Sequence, residues 1–127
     1  MMAEKNPLLQ AAENIGAILK ARREDIDKSQ REIAEALGYR NINFISMIES
    51  GRSNPPLARA IDICNAYELP YEFVPLMVRE LYPDTWQVIL AILNQGKEFF
   101  ANKTPAQLEK ALDKQKAQWL KDYHITT

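Results

Sequence analysis

Within the stretch LGYRNINFISMIESGRSNPP, residues 37–56, Asn43 and Ser46 carry an amide and a hydroxyl three positions apart, and Ile42, Phe44 and Met47 stand around them. Those side chains can recognise but not react. An amide offers a donor and an acceptor side by side, a hydroxyl serves as either, and the apolar groups can pack against a methyl. Nothing else in the chain points to bond making or breaking. The single histidine, His124, lies near the end of the chain, and there is no Ser/His/Asp set, carboxylate pair or phosphate-binding loop. The sequence therefore predicts no catalytic residue, no metal, no cofactor and no enzyme activity. The only cysteine, Cys64 in RAIDICNAYEL, falls among helical core positions with no cation placed to activate it, so it reads as a packed thiol.

Composition sets the frame for that segment. A chain of 127 residues with 46% hydrophobic and 26% charged residues has globular values and room for one ordinary domain, or a small module with an extension. It has neither a basic start leading into an apolar run nor a stretch approaching about 18 apolar residues, so neither a signal peptide nor a membrane span is expected, and the expected location is the cytoplasm. Net charge is −1; residues 1–59 hold nine Lys/Arg against eight Asp/Glu, and residues 60–127 hold seven against nine. Attraction to a polyanion would have to come from local clustering, because the whole-chain charge supplies none.

Apolar residues recur at three and four, glycines are few and prolines punctuate, which predicts an all-α chain. A first helix begins with Asn6 as N-cap and Pro7 at its first position, and runs to about Arg23. Ser29 with Glu32 three residues on forms a capping-box pattern for a second, which Gly38 stops. The third spans residues 41–50 and ends at Gly51; the fourth spans residues 56–67. A fifth is opened by Pro70 and holds Pro75, so the spacing predicts a kink or a late start there. A sixth follows with Asp84 as its cap. Thr104, Pro105 and Gln107 open a last helix with a second capping box.

Ile15, Leu19, Arg23 and Ile26, then SQREIAEALGY, ISMIESG, a proline at 55 or 56, and AIDICNAYELP follow one another in an order that resembles the Cro/repressor (XRE-type, lambda-repressor-like) helix-turn-helix regulators, including phage-related ones. The resemblance covers just under half the chain. It implies a five-helix DNA-binding domain, assigned to residues 1–73; residues 74–127, outside the resemblance, are expected to form a helical C-terminal dimerisation extension. One residue more than the usual pattern lies between Gly38 and Ile45, adding Arg40 or Asn41 to the turn. Ala34 is small enough for a close crossing of the second and third helices, and Gly38 allows the positive φ of a tight turn.

The resemblance also assigns roles. Arg23 and Glu49 are matched to a structural ion pair between the first and third helices, with Arg22 as the alternative partner. Counting back from Glu49, the base-reading set is Arg40, Asn41, Ile42, Asn43, Phe44, Ser46 and Met47, while Ile45 and Ile48 point inward. Asn43 suits a bidentate contact to adenine, Ser46 suits several bases, and Ile42 or Phe44 suits a thymine methyl; core packing or a protein interface is the other reading of those two apolar residues. Phosphate contacts fall to Lys28, Ser29, Gln30 and Arg31 at the start of the second helix and to Arg52, Ser53 and Asn54 after the third. Taken singly, each of these is also an ordinary solvated side chain.

The C-terminal half carries an apolar surplus. WQVILAIL is apolar nearly all round, and Leu108, Ala111, Leu112, Trp119 and Tyr123 form a second stripe. Two readings stand: burial in a homodimer through Trp86, Ile89, Leu93, Phe100 and Trp119, or an intramolecular cap over the fifth helix. The expected function is a repressor that binds a palindromic operator in double-stranded DNA as a homodimer. The rivals are an antitoxin or adaptor that holds a protein partner on the same scaffold, and a ligand-sensing regulator.

Overall fold

The computed structural model describes residues 6–94 and 104–126. Three of the four helix starts that the sequence assigns to a capping side chain form as expected. Leu8 N donates to Asn6 Oδ1 at 2.8 Å and Pro7 opens α1 (Pro7–Asp25). Ser29 and Glu32 bond reciprocally, side chain to backbone, at 3.1 Å each to start α2 (Gln30–Leu37), which Gly38 ends with φ 80°. Thr104 and Gln107 do the same for α7 (Pro105–Asp122).

The remaining starts shift, each for a local reason. α3 (Asn43–Ser50) begins two residues later than expected because Asn41 Oδ1 accepts the backbone N–H of Asn43 at 3.0 Å, which turns Asn41 into a cap outside the helix. Residues Leu57–Arg59 form one 3-10 turn before α4 (Ala60–Tyr67). α5 (Phe73–Leu81) starts late, which places Pro75 third in the helix. Its missing N–H would have had no intrahelical acceptor there, so the proline is absorbed without a kink. In α6 (Pro83–Leu93), Pro83 is the first residue and Asp84 stands in the first turn beside the positive helix end; the cap residue is Tyr82, not Asp84. No strand occurs among the described residues, and the fold is all-α.

α1 runs through the middle of the bundle. Ile15, Ile18 and Leu19 are sealed from solvent, and α1 packs against α3, α4, α5 and α7. One continuous cluster extends from Ala12 through Ile33, Ile45, Ile63, Phe73 and Leu76 to Leu108 and Leu112. Cys64 lies in it, and burial pushes its thiol up to about 11, with the Glu72 carboxylate adding to the rise. The line between residues 73 and 74 cuts the first turn of α5, whose buried face packs against both α1 and α6. The N-terminal and C-terminal parts share that helix and one core.

This packing corrects the expected use of the apolar surplus. Trp86 is 2% exposed and Leu93 4%, both within the single chain, so they present no surface to a second subunit. Ile89 is partly buried against the same core. Trp119 meets Phe73 edge to face, ring centroids 5.0 Å apart, and α7 thereby covers α5 and α1. Phe100 lies outside the described residues. Polar ties pin the cover: Arg79 on α5 pairs with Asp113 at 2.7 Å, Lys116 pairs with Glu80, and Trp86 Nε1 donates to Glu109. The intramolecular reading accounts for Trp86, Leu93, Leu108 and Leu112, all buried within the single chain.

Candidate nucleic-acid interface

α2, the turn of residues 38–42 and α3 are held from beneath. Gly16 on α1 is the reason they can sit so close: a Cβ built there would lie 2.4 Å from Ile48 O and 2.7 Å from Glu49 O. Only a residue without a side chain permits that approach. Beside it, Arg23 donates from Nε to Glu49 Oε2 and from Nη2 to Oε1, both at 2.9 Å. The Glu49 carboxylate also accepts from Tyr67 OH at 2.7 Å and Gln30 Nε2 at 3.2 Å. The bond to Glu49 raises the Arg23 guanidinium further against the opposing effect of burial, and burial foremost pushes the Tyr67 phenol up. Arg22 has another task, donating to the carbonyls of Tyr67 at 3.2 Å and Glu68 at 2.7 Å where α4 ends.

With Ile45, Ile48 and Glu49 buried, α3 turns Asn43, Ser46, Met47 and Ser50 outward. Asn43 and Ser46 are exposed, with no side-chain hydrogen bond to the described residues, and Met47 is 41% exposed. Phe44 is only partly exposed: it packs on the core and against Tyr39, ring centroids 5.1 Å apart. Ile42 is half-buried, and Asn41 commits its carbonyl oxygen to the Asn43 backbone. Tyr39, Arg40, Asn41, Asn43, Phe44 and Met47 line an open concavity of about 440 Å³ at the head of α3. Apolar walls with amides and a guanidinium at the rim suit a flat, partly polar edge.

The polar side chains at the ends of α2 and α3 sort into two groups. Lys28 pairs with Glu68 at 3.1 Å, Gln30 is drawn to Glu49, and the hydroxyl of Ser29 accepts the Glu32 N–H in the capping box. These three are engaged within the fold. Arg31, Arg40 and Arg52 are exposed and have no ion-pair partner among the described residues, and they stand at the start of α2, in the turn and just past α3. Ser53 is half-buried and Asn54 exposed beside Arg52. The positive cluster is thus narrower than the sequence implied, but it brackets the reading helix.

Sequence reasoning missed three contributors. A glycine flanked by the buried Ile15 and Ile18 in a helix signals a close backbone approach, so Gly16 had a local signature. Tyr67 and Arg59 had none, since their partners lie 18 and 22 residues away.

Residues 19–74 match the Helix-turn-helix family model, from Leu19 on α1 into the first turn of α5. No curated protein and no solved structure matches the chain. The matched segment contains the Arg23–Glu49 pair, the five-residue turn and the outward face of α3; the match makes that segment an XRE-family helix-turn-helix, consistent with the Cro/C1-type DNA-binding regulators.

Proposed function

We propose that the protein binds a specific site in double-stranded DNA, with α3 in the major groove, and acts as a repressor by occupying an operator. The observation that carries this reading is the outward face of α3. Asn43 and Ser46 are free to bond, Met47 is exposed, and the unpaired Arg31, Arg40 and Arg52 flank them. Asn43 reads an adenine through its amide, and Ser46 and Met47 contact neighbouring pairs. Occupancy alone blocks a promoter, so repression asks for no further surface.

Selection of binding sites from random duplexes with the purified protein tests the reading. Asn43→Ala should then weaken binding to the recovered site by about 1–3 kcal/mol and relax preference at one base pair per half-site. Ser46→Ala should do less, at an adjacent pair. Equal binding of the wild type to recovered and scrambled duplexes would remove specific readout. It would favour the adaptor reading, in which the same face holds a protein.

Arg31→Ala and Arg52→Ala should weaken binding to every duplex alike and each lower the slope of log K against log salt by about one unit. A Gln30→Ala change should instead act through stability, because Gln30 bonds to Glu49. A base preference altered by Arg52→Ala with its salt slope intact would assign Arg52 to readout rather than to phosphate.

A two-fold operator requires two copies whose reading helices lie about 34 Å apart. With Trp86 and Leu93 buried, the support for a homodimer moves to the outer side of α6. Val88 is 60% exposed there, Ala91 is exposed one turn on, and Ile92 is half-buried. Sedimentation of the DNA-free protein at micromolar concentration checks it: a monomer removes the dimer from the proposal and leaves DNA binding standing.

A further inference from the structure

We infer that Arg59 is a positioning residue that sets the pitch of the reading helix, acting through Tyr39 and Phe44; its effect on DNA rests on the reading proposed above. Arg59 follows α3 by nine residues, yet it reaches back in front of that helix. Its Nη2 donates to the carbonyl of Leu37, the last residue of α2, at 2.8 Å, and its guanidinium carbon sits 5.5 Å from the centre of the Tyr39 ring. The Tyr39 ring in turn packs, tilted by 55°, on Phe44, the second residue of α3. Asp62, a turn on in α4, holds Nε of Arg59 at 2.9 Å and keeps the guanidinium in plane for the stack.

The chain of contacts spans the turn that joins α2 to α3. Between Gly38 and Ile42 the turn carries five residues, and its only side-chain tie to the backbone is the Asn41 bond to Asn43. A Cβ on Gly38 would meet nothing within 4 Å, and Tyr39 is the residue of the turn that packs on the core. Arg59, Tyr39 and Phe44 close it from α4 to the first turn of α3. A guanidinium does this because it is planar: one edge bonds a carbonyl while its face lies on a ring. Asn43, beside Phe44, then meets its base with the geometry a bidentate contact demands.

The test uses the full chain and three variants: Arg59→Ala, Arg59→Lys and Tyr39→Leu. Amide hydrogen exchange, which needs no DNA, should speed up over residues 38–44 in all three while α1 and α5 keep their protection. On the recovered duplex, each variant should lose about tenfold in the ratio of specific to scrambled binding, the order of one good bidentate contact, with the salt slope unchanged. Rescue by Arg59→Lys together with a slope one unit lower in Arg59→Ala would make Arg59 a phosphate contact and overturn the positioning role. Unchanged exchange over residues 38–44 in Arg59→Ala would overturn it too. A wild type that binds no duplex would sink the DNA reading, and the exchange result alone would then decide whether the clamp exists.

Discussion

Glu49→Ala is expected to destabilise the fold by about 3–5 kcal/mol, a large share of what a domain of this size has to lose. The side chain is 2% exposed and its two oxygens accept from four donor groups, two nitrogens of Arg23, the Tyr67 hydroxyl and the Gln30 amide. Removing it leaves a guanidinium that is itself only 11% exposed without a counter-charge, and a buried phenol without an acceptor. Most of the loss comes from those stranded partners, so Glu49→Leu combined with Arg23→Met should recover much of it. Tyr67 adds a pH signature. Its folded value is raised, so its contribution is whole below the ordinary tyrosine value of about 10 and declines as pH climbs beyond it. Urea titrations of the single and double variants check the first claim: a Glu49→Ala loss under about 1 kcal/mol would mean that the network is not what joins α1 to α3.

Gly16→Val should be as damaging, at about 3 kcal/mol or more, with a fall in melting temperature of about 10 °C. The atoms a Cβ would meet are the carbonyl oxygens of Ile48 and Glu49, which belong to the backbone and cannot rotate aside. α1 has to lift from α3, and Ile45 and Ile48 lose their seat. Gly38→Ala is the control. That glycine also matters, but only through its φ of 80° with open space around it, so about 1 kcal/mol is expected. Thermal unfolding of both variants separates the two costs, and equal melting temperatures would show that the close approach at Gly16 is relieved by a small shift of the helices.

Much of the secondary structure was legible because caps are local. Asn6, Ser29 with Glu32, and Thr104 with Gln107 each bond within three residues, and Gly38 and Gly51 each end a helix at positive φ. Long-range partners were less legible. The period of the apolar residues shows that WQVILAIL must be covered, but not by which helix, and so Trp86 and Leu93 read as an interface when they are buried within the chain. The outward positions of α3 followed from the anchor at Glu49, which is buried and fixes the rotation of the helix. The internal partners of Lys28 and Gln30 were not legible, because nothing near Lys28 in sequence announces Glu68, 40 positions on, and nothing near Gln30 announces Glu49.

α3 divides its eight residues cleanly, with Ile45, Ile48 and Glu49 locked into the core and Asn43, Ser46 and Met47 answering to nothing inside the protein. Mutational drift therefore meets two regimes a single residue apart. A change at an inner position spends stability that the fold cannot spare, whereas a change at an outer one leaves folding almost untouched and alters only what is bound. A lineage carrying this scaffold can move from one target sequence to another by single steps, each passing through a protein that still folds.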